Sequence, residues 1–312
     1  QPQIWKEKKW MGNRILKTLT ALAAFSLAAY LAPKKSKKVG AQPVPVGESI
    51  SYMPEREGAT HDPLRLFYYR PLHWREDRPV FIAFHGFGRK ADRFCEALRS
   101  LAEEKNTLVV CPEFSEKKFP GCCRYQEGNM TDKDGVGGAI LPKEEWTFSV
   151  ADRMIEEVRN RTQTKGKMIL FGHSAGGQFL HRRSLFGGEE QADVAAIANA
   201  GWFTMPDREV PFPYGIQNVD ISDEELARAF AKPVILFTGS EDLERNPPFR
   251  DTPEADAQGM NRRERNIRYF NACKKKADAL GVPFRWKLET VEGVGHDGAE
   301  MARGALAYIL GE

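Results

Sequence analysis

An α/β fold, with a mostly parallel central sheet and helices on both faces, is the architecture this 312-residue sequence predicts. Three observations carry it. Short β-branched and aromatic runs recur along the chain, several of them apolar at four to six positions in a row. Segments with a 3.6-residue apolar period lie between them. No internal repeat and no second apolar core interrupts the alternation. Strands without a polar face, each followed by a helix, require a parallel sheet covered on two sides.

In chain order the strand candidates are "RLFYYR" (65–70), "PVFIAFHG" (79–86), "TLVVCPEF" (107–114), "KMILFGH" (167–173), "VAAIANAG" (193–200), "PVILFTG" (233–239) and "FRWKLETV" (284–291). The first predicted helix, 89–105, places Phe94, Leu98 and Leu101 on one face. The next, 146–162, does the same with Val150, Met154, Ile155 and Val158. A helical pattern follows Ser174 at once, and 262–281 and 297–310 complete the set. The loops at 115–145 and 203–222 are long and rich in Gly, Pro and aromatics, a length that in a compact domain usually marks function.

Charge is unevenly spread. Nine of the 46 Lys and Arg residues (Lys6, Lys8, Lys9, Arg14, Lys17, Lys34, Lys35, Lys37, Lys38) fall in the first 40 positions, against one acid, Glu7. The remainder is therefore mildly acidic, which argues against a nucleic-acid partner. Residues 15–32, "ILKTLTALAAFSLAAYLA", form an apolar run with basic flanks. Within 1–32 this reads as a signal peptide, with small-x-Ala sites ending at Ala28 and Ala41, or as an uncleaved anchor just long enough to span a bilayer. The expected location is accordingly periplasmic or secreted, or membrane-anchored through 15–32. Residues 33–49 read as a linker, Pro-rich from 41, and 50–312 as the folded domain. The five cysteines form no C-x-x-C pair and no zinc-ligand spacing. Cys95 and Cys111 read as core residues, whereas Cys122-Cys123 sit in a Gly/Pro loop where export would allow a bridge.

The stretch "MILFGHSAGGQFLHRR" (168–183) concentrates the chemical signal. Ser174 stands between two glycines where an apolar strand gives way to a helix, at the carboxyl end of a sheet strand, where sites in such sheets form. A serine hydroxyl is a weak nucleophile and needs a base and an orienting acid. Of six histidines, His173 adjoins the serine and should point away from it, and His181 lies inside the following helix, packed or solvated. His296 falls between the last strand and the last helix, the place for the base in a Ser, Asp, His order. Asp242 follows the strand 233–239 and is the candidate acid, with Glu241 its neighbour and rival. The Ala175 N–H at the helix start is one candidate oxyanion donor. The Phe87 N–H in "FHGFG" (84–88) is the other, with Gly86 the nearest alternative. Tyr125 and Trp202, in or beside the long loops, are candidates for the wall of a substrate pocket; packing those loops down is the competing role. Gly293–Gly298 matches G-x-G-x-x-G but lacks the acid and strand a dinucleotide site wants downstream. No metal and no cofactor is implied.

The strand with its "HGFG" loop, the "LVVCPEF" strand and the "GHSAG" turn resemble the α/β-hydrolase superfamily over about 65–310. Within it the chain is similar to the polyhydroxybutyrate-depolymerase-like and related esterase group. "ANAGWFTMPD" and "PFPYGI" resemble exported members of that superfamily, while "HGFGRK" carries Phe87 where many depolymerase-like members carry cysteine. The resemblance implies a cofactor-free serine hydrolase acting on small or polymeric carboxylic esters through Ser174, Asp242 and His296 and an acyl-enzyme. An exported peptidase or amidase of the same fold, and a catalytically silent envelope binding protein, are the alternatives.

Overall fold

The computed structural model describes residues 43–187 and 192–311. The segment read as signal or anchor, and most of the linker, lie outside the described residues. Eight strands form one sheet: β1 (Gly47–Met53), β2 (Leu64–Arg70), β3 (Val80–Phe84), β4 (Leu108–Pro112), β5 (Met168–His173), β6 (Val194–Ala198), β7 (Val234–Gly239) and β8 (Lys287–Val291). Their spatial order is β1-β2-β4-β3-β5-β6-β7-β8. β2 runs antiparallel to both its neighbours, and the pairings from β4 through β8 are parallel. The expected mostly parallel sheet is therefore present.

β1 begins at Gly47, inside the stretch read as linker. It carries no apolar-inward alternation, because Ile50 and Tyr52 face solvent while Ser51 and Met53 face inward. The predicted helix 89–105 is two helices, α1 (Ala91–Ala97) and α2 (Arg99–Lys105), broken at Leu98, whose ψ near 0° departs from helical geometry. Phe94, Leu98 and Leu101 still turn inward. Further along come α3 (Gly121–Arg124), α4 (Phe148–Thr162), α5 (Ala175–Phe186), α6 (Asp223–Phe230), α7 (Pro253–Asp256), α8 (Arg262–Leu280) and α9 (Gly298–Leu310).

Central strands β3, β4 and β5 are buried at every residue, and the strand period of two sends alternate side chains into two separate cores. Val80, Ile82 and Phe84 join the core under α4, α5, α6 and α8, whereas Phe81 and Ala83 join that under α1, α2 and α9. The parallel strands point their carboxyl ends to one rim, where Phe84, His173, Ala198 and Gly239 end β3, β5, β6 and β7 and the loops carrying the candidate site begin.

Candidate active site

Ser174 links β5 to α5 with φ 57° and ψ −113°, a conformation a β-carbon disfavours. Its backbone is fixed on both sides: its N–H donates to the Ala198 carbonyl at 3.0 Å, and its carbonyl accepts from Gln178 at 2.9 Å. The flanking glycines are steric necessities. A β-carbon at Gly172 would overlap the Gly176 carbonyl, and one at Gly176 would overlap the Phe84 carbonyl. Helix α5 thus approaches the end of β3 as closely as backbone allows, leaving the serine hydroxyl at the rim.

Asp242 lies three residues past the end of β7 and is 1% exposed. Its Oδ2 is 2.9 Å from His296 Nδ1, and His296 Nε2 is 3.1 Å from Ser174 Oγ. An ionised carboxylate only accepts, so Nδ1–H donates to Asp242 and leaves Nε2 free to accept from the serine hydroxyl. Glu241 is exposed and takes no part in this chain. The two loops are joined by backbone bonds: Ser240 N–H to Val291 O at 3.1 Å and Glu241 N–H to Val294 O at 3.0 Å. Asn199, fully buried just past β6, bridges them further by accepting from Gly239 N–H at 2.9 Å and donating to Gly295 O at 3.0 Å. Sequence reasoning missed Asn199, which lies within a run read as strand; its φ of 46° suits asparagine.

The loop after β3 is pinned from beneath. His85 Nε2 accepts the Phe114 N–H at 3.1 Å, with Nδ1 3.0 Å from Gly86 O, and burial pushes its pKa down to about 4. Arg89 donates to the carbonyls of Phe114, Phe119 and Gly121. Gly86 faces the serine, a β-carbon there falling 3.7 Å from Ser174 Cβ. The Phe87 N–H makes no hydrogen bond among the described residues, and the Ala175 N–H, first in α5, has no intrahelical partner. The Phe87 ring is half exposed.

His173 makes no hydrogen bond to the serine among the described residues, and its ring lies tilted at 41° against that of His296, centroids 4.6 Å apart. Burial, with His296 and Arg262 nearby, holds its pKa well below the usual imidazole value. His181 is packed in the interior, accepting from Thr204 N–H at 3.0 Å. Tyr125 and Trp202 do not form an open pocket wall. Tyr125 is fully buried, stacked on Phe114 and Phe179 with its hydroxyl donating to His85 O at 2.8 Å. Trp202 is buried between the Arg182 and Arg250 guanidinium groups and Tyr214. Both rings gain more by packing the long loops down than by facing water.

The five thiols are free, so no bridge joins Cys122 or Cys123. Among the described residues one group places potential metal-ligating atoms within 4.8 Å of one another: Cys123, Glu127 and Asp134. Asp134 already accepts the Cys123 N–H, and burial pushes the Glu127 carboxyl above the usual range despite Arg182 and Arg250 nearby, with neither of its oxygens hydrogen-bonded among the described residues. No helix of the described residues is long and apolar enough to cross a membrane.

No family model and no curated protein matches the sequence. Solved structures do. Poly(aspartic acid) hydrolase-1 from Sphingomonas sp. KT-1 is 31% identical, with a TM-score of 0.77 over 86% of this chain and 100% of its own. The chain belongs to the α/β-hydrolase superfamily, in its polyhydroxybutyrate-depolymerase-like group. A poly(3-hydroxybutyrate) depolymerase from Bordetella parapertussis within that group is 30% identical, with a TM-score of 0.78 over 86% of this chain and 92% of its own. An IroE-like serine hydrolase from Shewanella oneidensis, 12% identical with a TM-score of 0.51 over 82% of this chain and 77% of its own, shares the fold. This α/β-hydrolase is thus a hydrolase by kinship, and its Ser174, His296 and Asp242 stand at the rim where its strands end.

Proposed function

We propose that the chain is a serine hydrolase of carboxylic esters, with Ser174 as nucleophile, His296 as general base and acid, and Asp242 as the group that orients and charge-stabilises the imidazole. One observation carries the reading: a serine at φ 57° whose Oγ, at 3.1 Å, leads through an imidazole to a buried carboxylate at 2.9 Å. Ser174 Oγ attacks the ester carbon while its proton passes to His296 Nε2. The Phe87 and Ala175 N–H groups receive the oxyanion. Collapse of the tetrahedral intermediate breaks the carbon–oxygen bond, and the leaving alcohol takes the proton from His296. Water then attacks the acyl-enzyme, gives a proton to His296, and releases the acid as Ser174 regains its hydrogen. The segment 15–32 supports a site of action beyond the cytoplasm, whether secreted, periplasmic or anchored.

The test is to treat the protein with a fluorophosphonate, map the adduct, and assay chromogenic esters of graded chain length. Labelling at Ser174 is expected, with a kcat loss on the order of 10⁵-fold or more in Ser174→Ala. A folded protein that stays unlabelled and turns over no ester refutes the reading. One finding favours a second reading: the relative from Sphingomonas hydrolyses poly(aspartic acid), a polymer joined by amides. A peptide amide run beside the esters decides between them.

A further inference from the structure

We infer that Arg262 is a positioning residue for the catalytic pair, balancing the buried charge of Asp242 and keeping its carboxylate turned toward His296. This rests on the triad reading above and adds a residue to it.

Asp242 is an unusually isolated buried carboxylate. Among the described residues its side chain has two polar partners: His296 Nδ1 on Oδ2, and Arg262 Nη1 at 3.4 Å from Oδ1. No backbone amide donates to it there. Arg262 and Asp242 are 5% and 1% exposed at their side chains, so neither charge is shared with bulk water. A buried carboxylate in a dry site takes up a proton unless an opposite charge holds it ionised. The His296 Nδ1–H supplies a hydrogen bond to Oδ2, and Arg262 supplies the opposite charge beside Oδ1.

The placement of Arg262 has no rationale in its own helix. It is the first residue of α8, where the helix dipole disfavours a cation, and Asn261 already caps that end through Glu264 N–H. The guanidinium is instead aimed at the acid loop: Nη1 also donates to Glu244 O at 3.2 Å, and its face lies over the Phe249 ring, 5.0 Å from the centroid. It is anchored on two sides, with Asp242 at its open edge.

The other groups around the pair cannot take its place. His173, tilted against His296 from β5, has its pKa pushed well below the usual imidazole value by burial. Asp297, next to His296, spends its carboxylate on the Ala299 and Glu300 amides. Glu241 and Glu244 on the acid loop are exposed. Among the described residues Arg262 is the one Lys or Arg ion-paired with Asp242.

The expected behaviour follows from charge. Without Arg262, the Asp242 carboxylate loses one of its two side-chain partners and the one Lys or Arg paired with it among the described residues. That change in buried charge beside the acid–base pair is read in the acid limb of kcat/KM, which should move upward. In Arg262→Met, kcat near neutrality should fall on the order of 10- to 100-fold with KM changed by less than about threefold, because the Arg262 side chain is buried behind the acid loop. The acid limb should rise by roughly one pH unit, and Arg262→Lys should return it toward wild type. The double variant Asp242→Asn/Arg262→Met removes both charges together, so it folds without a stranded ion and should match Asp242→Asn within about threefold. A loss in the double variant that multiplies with that of Asp242→Asn, or an acid limb unmoved in Arg262→Met and Arg262→Lys, overturns the assignment. Fluorophosphonate labelling of the wild type at Ser174 tests the parent reading separately; a labelled enzyme indifferent to Arg262 sinks this inference alone.

Discussion

Replacing Gly176 by alanine adds one methyl group at the tightest crossing of the molecule. The new carbon would overlap the Phe84 carbonyl oxygen and sit 2.8 Å from Phe84 C and 3.0 Å from His85 O. Comfortable carbon contacts begin at about 3.5 Å, so α5 must retreat from the end of β3 by on the order of 1 Å. Every atom it meets is backbone, so no rotamer change relieves it. Overpacking of this kind costs about 1–3 kcal/mol and more where the neighbours cannot yield, and a value of roughly 3 kcal/mol is expected. The same retreat parts the Ala175 N–H from the loop carrying Phe87, and a displacement near 1 Å at a reacting centre costs about 100-fold in rate. Urea unfolding gives the stability and ester turnover the rate. Gly88→Ala is the control, its β-carbon meeting only the flexible Lys90 side chain at 3.9 Å, and it should stay within about 0.5 kcal/mol of wild type. A Gly176→Ala protein as stable as that control, with turnover reduced less than about threefold, would refute the steric account of the serine turn.

Asn199→Ala should cost about 2–3 kcal/mol, since it removes one buried and one partly buried hydrogen bond and leaves the Gly239 N–H and Gly295 carbonyl without their partner; differential scanning calorimetry measures it, and turnover should fall with it as the histidine loop loosens. Acidification should destabilise the fold through His85. Its pKa in the fold is about 4 against ~6.5 in the unfolded chain, so the stability is fully present above pH 6.5 and is lost as pH falls toward 4, by about 2 kcal/mol at pH 5. His173 and His181, also lowered by burial, act in the same direction. Urea midpoints that do not change between pH 7.5 and 5 would contradict this.

The central strands were legible because burial on both faces leaves them no polar positions, and Ser174, Asp242 and His296 were legible because each follows its own strand in a set order. What escaped had physical reasons. β1 alternates with its apolar Ile50 and Tyr52 turned outward and Ser51 inward, the reverse of a strand covering a core, within a stretch that reads as linker. The break at Leu98 has no Gly or Pro to announce it. Helix α6 did carry a readable mark, a Ser222 and Glu225 capping box. Asn199 and Arg262 owe their importance to partners far off in the chain, 96 residues away at Gly295 and 20 at Asp242. One arginine among 46 basic residues shows nothing of that in sequence. Tyr125 and Trp202 illustrate the converse: a loop aromatic looks the same on paper whether it greets a ligand or props a turn.

The seam between the turns after β7 and β8 is sewn largely with main-chain atoms, which are indifferent to what side chains stand there. Glu241 and Leu243 project outward from it, and their chemistry can be exchanged without unpicking a stitch. The mouth of the site can therefore be recharged or greased, residue by residue, while acid and base keep their spacing.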